Sequence, residues 1–106
     1  MPTLPATIDE AAFAWPFTDA AIEVSPAAPG VYLLYRGGRL LYIGLAINGL
    51  GIREELASHA SGARGACTRA ATAFIYEVSH QPRALYHRYL ALHRARDGGR
   101  LPEGNP

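Results

Sequence analysis

Two short motifs carry the residues best suited to chemistry. Gly30-Val31-Tyr32 and Tyr42-Ile43-Gly44 place two tyrosines ten positions apart, each with a glycine at a matching distance. A phenol is a poor base at neutral pH unless a nearby cation lowers its pKa. These tyrosines could therefore act as bases only where positive charge lies close to them. The alternative is that tyrosine is simply a favourable strand residue.

An arginine and a histidine follow the second motif within one predicted helix. Residues 52 to 60 carry apolar side chains at intervals of four, which is typical of a helix with one buried face. Arg53 and His59 both lie on this helix. Their ordinary explanation is surface pairing, of Arg53 with a neighbouring glutamate and of His59 with Glu55 four residues earlier.

The elements that hold the tyrosines form a predicted β-hairpin. Residues 31 to 36 and 39 to 45 are rich in Val, Leu, Tyr and Ile and flank two glycines. A two-residue turn would place the tyrosines on opposite faces of the sheet, so a shared site needs a loop of odd length. We therefore predict a three-residue loop over residues 36 to 38, which sets Tyr32 directly opposite Tyr42.

The remaining pattern predicts a small α/β (α+β) domain. Residues 71 to 78 resemble a third strand, and a last helix begins near Gln81-Pro82. The order β-β-α-β-α predicts a three-stranded antiparallel sheet flanked by helices, over residues 29–106. Residues 1–28 are expected to form an N-terminal lead-in packed on that domain, with a short extended piece at residues 21 to 24.

The charge distribution is uneven along the chain. The net charge is +1, yet all ten arginines follow residue 30, where there are five acidic residues, and the chain contains no lysine. A planar guanidinium can bind two phosphate oxygens at once, so an arginine-only basic surface suits nucleic acid. The alternative is a genome that prefers arginine codons and a solvated surface without a partner.

Composition also predicts the compartment. No stretch of 18 apolar residues occurs, so no membrane association is expected. The first 15 residues contain two acidic residues and no basic one, which argues against a secretory signal. Cys67 has no second cysteine with which to form a disulfide, and a reducing, cytoplasmic location is therefore expected.

Taken in order, the two tripeptides, Arg53, His59 and the C-terminal run Leu101-Pro102-Glu103-Gly104-Asn105 resemble the GIY-YIG nuclease family. The resemblance covers about residues 29 to 105, and the C-terminal run is similar to that of a small bacterial branch. It implies that Tyr32 and Tyr42 order or deprotonate the attacking water beside a divalent cation. It also implies that Arg53 contacts the scissile phosphate, and that His59 takes a position where many members have histidine or tyrosine.

One position departs from the family. The resemblance implies Mg²⁺ or Mn²⁺ as the cofactor, held by a glutamate on the last helix, but Tyr86 stands there. A neutral phenol is a poor substitute for a carboxylate, which hard cations favour. The metal ligands are therefore unknown. His87 and Glu103 are the alternatives, and weak metal binding is expected.

Three further residues are candidates for substrate binding. Arg83 and Arg88 on the last helix are predicted to contact a phosphate backbone without reading sequence, unless they form a solvated outer face. Asn105 matches an asparagine that joins the site to the chain terminus in family members, unless it belongs to a disordered tail.

The resemblance implies an endonuclease domain that hydrolyses DNA phosphodiesters with a divalent metal. DNA is favoured over RNA, weak sequence selectivity is expected, and the missing glutamate is expected to reduce activity. The alternative is an inactive module of the same fold that binds nucleic acid or a protein partner. The sequence does not predict an oligomeric state.

Overall fold

A four-stranded antiparallel sheet lies at the centre of the computed structural model, which describes residues 14–47, 49, 51–96 and 98–105. The strands are β1 (Trp15–Pro16), β2 (Gly30–Arg36), β3 (Arg39–Ala46) and β4 (Ala73–Val78), in the spatial order β1-β4-β2-β3. The helices are α1 (Asp19–Glu23), α2 (Gly51–Ala60), α3 (Ala66–Arg69) and α4 (Pro82–Arg96). In this described part of the chain, none of the helices is long and apolar enough to cross a membrane.

The predicted α+β class is confirmed, but the predicted three-stranded sheet and element order are wrong. The observed order is β-α-β-β-α-α-β-α. The added strand β1 comes from the lead-in and pairs Trp15 with Phe74 and Pro16 with Ala73. A strand of two residues that includes a proline carries no periodic signal, and proline is tolerated here because β1 is at the edge of the sheet.

The extended piece predicted at residues 21 to 24 is also wrong, because α1 occupies most of it. The Thr18 side chain accepts a hydrogen bond from the Ala21 N–H at 3.3 Å and so caps the helix. Ile22 is buried, and Phe17 meets Phe74 edge to face at a ring distance of 6.2 Å. The described part of the lead-in is thus packed on the sheet.

Helices cover both faces of the sheet. On one side, here called the α2 face, alternate residues of β2 and β4 pack with α1 and α2, as Leu34 does with Phe74 and Leu56. On the other side, the α4 face, Leu33 packs with Leu85. Because both faces are covered, β2 is buried at every position from 30 to 35 and shows no alternation of polar and apolar residues.

The hairpin between β2 and β3 combines a short turn with a β-bulge. Gly37 and Gly38 form a two-residue turn with φ angles of 57° and 86°, so the predicted three-residue loop is wrong. Positive φ at both turn positions matches the twist of the flanking strands and favours glycine. The register then shifts between Leu34 and Tyr35, which leaves Leu41 as an extra residue in β3.

The bulge supplies the odd residue that the shared tyrosine face requires. Beyond it, Tyr32 pairs with Gly44 and Leu34 pairs with Tyr42. Tyr32 and Tyr42 are therefore diagonal neighbours on the α2 face. The prediction that they lie directly opposite each other is wrong. The expectation that both rings share one face is confirmed, because their centroids are 6.0 Å apart.

The Tyr32 ring lies directly over Gly44, and this contact generates a prediction. A Cβ atom at Gly44 would lie 2.0 Å from Cζ of Tyr32, so Gly44→Ala should lower the free energy of unfolding by about 1–3 kcal/mol through overpacking. Urea titration measures this loss. In a Tyr32→Leu background the same change should cost less; an equal cost in both backgrounds would contradict the contact.

Candidate functional site

Three rings meet on the α2 face. The centroid distances are 6.0 Å for Tyr32 and Tyr42, 5.5 Å for Tyr32 and His59, and 4.7 Å for Tyr42 and His59. Tyr32 and His59 are fully buried, whereas Tyr42 is partly exposed. His59 reaches the sheet because it lies on the same face of α2 as Ile52 and Leu56, which are buried beneath the helix.

A continuous chain of hydrogen bonds runs through these rings. The Tyr32 hydroxyl lies 3.2 Å from Oε1 of Glu55 and 2.8 Å from Nε2 of His59, and Nδ1 of His59 lies 2.8 Å from Oγ1 of Thr68. A carboxylate can only accept, so the single phenolic hydrogen of Tyr32 is donated to Glu55. It follows that His59 donates from Nε2 to Tyr32 and accepts at Nδ1 from the Thr68 hydroxyl.

Burial keeps the rings uncharged near neutral pH. It raises the pKa of the Tyr32 phenol far above the ordinary value of 10.0, and the negative charges of Tyr42, when that phenol ionises, and of Glu55 raise that pKa further. Burial also raises the pKa of Tyr42, although the Arg64 charge lowers it. Burial lowers the pKa of His59 from 6.5 to about 4, with the Arg64 charge acting in the same direction. Tyr32 is therefore a fixed hydrogen-bond donor in this arrangement.

Two residues of the site were missed by the sequence reasoning. Nη2 of Arg64 lies 2.6 Å from Oε1 of Glu55, and the side chains are 41% and 20% exposed. Glu55 thus pairs with Tyr32 and Arg64, not with His59 as the surface-pair alternative supposed. The position of Glu55 one helical turn before His59 could have indicated that it belongs to the site. No sequence pattern indicated Arg64, because it belongs to the turn after α2. We call the group formed by these contacts the tyrosine cluster; its members are Tyr32, Tyr42, Glu55, His59 and Arg64.

Arg53, which the resemblance makes a catalytic candidate, is bound to the segment before β2. Its Nε donates to the carbonyl oxygen of Ser25 at 2.8 Å, and its backbone N–H donates to Pro26. These bonds tie the first turn of α2 to the segment before β2. Among the described residues, no hydrogen bond or ion pair joins Arg53 to the tyrosine cluster.

The candidates on the last helix lie on α4, across the sheet from the cluster. Arg83 and Arg88 are exposed, and among the described residues neither forms a hydrogen bond or ion pair with the tyrosine cluster. Tyr86 packs against the core of the α4 face, yet it is close enough to Tyr42 that ionisation of Tyr86 would raise the pKa of that phenol. His87 is exposed, with its ring 5.7 Å from that of Tyr86.

Asn105 binds the outer edge of the hairpin. Its side-chain Oδ1 accepts from the Ile43 N–H at 2.9 Å, and Nδ2 donates to the Ile43 carbonyl at 3.0 Å. The Gly104 N–H also donates to the Leu41 carbonyl. Residues 104 and 105 are therefore bound to β3 beside Tyr42, and the expected role of Asn105 at a site stays a prediction. Glu103 forms an exposed ion pair with Arg39 at 3.0 Å.

No protein-family model matches the chain, and no curated protein is detectably similar to it in sequence. The resemblance to GIY-YIG nucleases therefore rests on the sequence motifs and stays a prediction.

The donor set around the tyrosines does not fit a resident divalent cation while Arg64 is paired with Glu55. Across the described residues, no three His, Cys, Asp or Glu side chains come together. The cluster offers the carboxylate of Glu55, whose ion pair with Arg64 opposes a second positive charge at the same oxygen. Both ring nitrogens of His59 already have partners. Tyr86 brings a phenol towards Tyr42 and adds no carboxylate.

Loss of the Asn105 amide should loosen the edge of the sheet. Asn105→Ala removes two hydrogen bonds to Ile43 and should lower the free energy of unfolding by about 1 kcal/mol. Amide hydrogen exchange at Ile43 should become faster. Glu103→Gln, which breaks an exposed ion pair, is the matched control and should change neither quantity by a comparable amount.

The buried His59 should make stability depend on pH. Between about 4 and 6.5, its pKa values in the folded and unfolded states, the unfolded chain binds a proton at this site that the folded chain excludes. The free energy of unfolding should therefore decrease as pH falls through that window. Denaturant titrations over this range should give a smaller slope for His59→Gln than for the unaltered chain. A change at the exposed His87, such as His87→Gln, should leave the slope intact.

Proposed function

We propose that this chain is a GIY-YIG-like domain that acts on the phosphodiester backbone of nucleic acid at the tyrosine cluster. One observation carries the proposal: Tyr32, Tyr42 and His59, which the resemblance assigns to one site, meet within 6.0 Å of one another. A bulge and a buried helix face are both needed to bring them together. DNA is the first substrate to test, because the resemblance is to DNA-cutting enzymes.

Backbone binding is the part of this function that the geometry supports best. The Arg64 guanidinium stands at the edge of the cluster with 41% of its side chain exposed, and guanidinium N–H groups match phosphate oxygens. Arg83 and Arg88 are proposed as further backbone contacts. Because they lie on α4, a strand that touches both surfaces must pass around an edge of the sheet.

Hydrolysis is the second candidate, and the exposure of Tyr42 favours it. This phenol lies 4.7 Å, ring to ring, from a neutral histidine, where its hydroxyl can orient a water molecule against a bound phosphate. The Tyr42 ring packs against the rings of Tyr32 and His59, and a hydrogen bond to Thr68 holds the His59 ring in place. In this scheme Arg64 supplies the positive charge that stabilises the negative charge developing on the phosphate in the transition state.

The test uses fluorescein-labelled single- and double-stranded DNA and RNA. Fluorescence polarisation should show binding that is indifferent to sequence and weakens with salt, with about 0.7 to 0.9 in the slope of log affinity against log salt per phosphate contact. Cleavage is followed on denaturing gels in EDTA, Mg²⁺ or Mn²⁺. Any cleavage should be lost in Tyr42→Phe and kept in Tyr76→Phe, a tyrosine of β4 outside the cluster.

The outcomes separate the candidates. Binding without cleavage identifies a backbone-binding module, and cleavage lost in Tyr42→Phe identifies a hydrolase. Absence of retention of every probe at about 50 mM salt, where backbone contacts are strong, contradicts the proposed function. A protein partner is then the better explanation.

A further inference from the structure

Glu55 is held between a buried donor and a charged one. Its Oε1 accepts from the Tyr32 hydroxyl at 3.2 Å on the inner side and from Nη2 of Arg64 at 2.6 Å on the outer side. The hydrogen-bond chain from Thr68 through His59 to Tyr32 is uncharged, so the negative charge of the network lies at this carboxylate. Arg64 supplies the opposing positive charge.

An ordered turn delivers Arg64 to that position. After α2, Gly62 donates its N–H to His59 at 3.1 Å, Ala63 donates to Ser58 at 3.1 Å and Gly65 donates to Gly62 at 3.1 Å. Backbone bonds on both sides of Arg64 thus fix the point at which its side chain leaves the turn. Backbone hydrogen bonds of the fold thus hold the guanidinium at Glu55, whereas the Arg39–Glu103 pair joins two exposed side chains.

The ion pair with Glu55 does not use all of the N–H groups of the Arg64 guanidinium. An arginine carries five N–H groups, and the ion pair with Glu55 uses Nη2. The remaining groups belong to a side chain that is 41% exposed beside Tyr42, so they can donate to the oxygens of a phosphate. A divalent cation at a carboxylate does the same work, since it neutralises one anion and attracts a second.

We propose that the Arg64 guanidinium takes the place of a divalent cation at the Glu55 carboxylate, so that this site holds a phosphodiester through arginine and without a metal ion. The ligand part of this inference rests on the proposed function. The charge arrangement at Glu55 does not, and it is tested separately.

The first experiment uses Mn²⁺ alone, followed by isothermal titration calorimetry. The unaltered chain should give no binding isotherm, because Arg64 already satisfies Glu55. Arg64→Gln should gain Mn²⁺ binding, and the added change Glu55→Gln should abolish the gain. Mn²⁺ binding to the unaltered chain that is lost in Glu55→Gln overturns the inference, and so does an Arg64→Gln chain that takes up no Mn²⁺. Circular dichroism confirms that each variant is folded.

The second experiment measures polarisation of a fluorescein-labelled single-stranded oligonucleotide. Binding should not require Mg²⁺, so affinity in EDTA should be at least as high as in Mg²⁺, which competes for the phosphates. Arg64→Gln should weaken binding and reduce the slope of log affinity against log salt by about 0.7, the value for one single-strand phosphate contact. Arg39→Gln, which removes an arginine from an exposed Arg–Glu pair, is the matched control.

The two experiments fail in distinguishable ways. A loss in Arg64→Gln no larger than that in Arg39→Gln, or affinity that requires Mg²⁺, overturns the arginine-based phosphate site while the proposed function stands. If no oligonucleotide binds, the proposed function fails and the phosphate site fails with it, while the Mn²⁺ titration still decides whether Arg64 replaces a cation at Glu55.

Discussion

The site depends on one extra residue in a strand. A two-residue glycine turn fixes a hairpin register in which Tyr32 and Tyr42 face opposite sides of the sheet, and the bulge at Leu41 reverses the second of them. Tyr42 then lies over α2, where the His59 ring meets it at 4.7 Å. Without the bulge, His59 would face a single phenol, and the Tyr42 ring would belong to the core beneath α4.

A buried chain of polar groups is stable only if each group has a hydrogen-bond partner. In this chain every group has one, and all the donors point the same way. Every hydrogen from Thr68 through His59 to Tyr32 points towards Glu55, and the chain ends at the half-exposed Arg64. The direction of the chain also determines its chemistry, because it leaves no buried base on the inner side. Solvent therefore reaches the cluster at its outer rim, through Tyr42 and Arg64.

The sequence was most informative where local pattern decides the outcome. The hairpin strands, α2, β4 and the start of α4 follow from periodicity and turn residues, and the two motifs with His59 indicated which rings would meet. The bulge could not be predicted, since Leu40 and Leu41 are both apolar and either could face a core. Arg64 could not be found either, because its partner Glu55 is defined by three-dimensional contact. Arg53 had the expected spacing, but its side chain is bound to Ser25.

The pairing of Asn105 with Ile43 has a consequence for how copies of this chain behave towards one another. β3 is an edge strand with buried apolar residues, and such an edge can recruit a strand from another molecule into a continuous sheet. A single amide side chain reproduces the donor and acceptor of a neighbouring strand at Ile43, and Gly104 takes the carbonyl of Leu41. The C-terminal segment therefore occupies backbone positions through which another strand would pair with β3, on the strand that carries Tyr42.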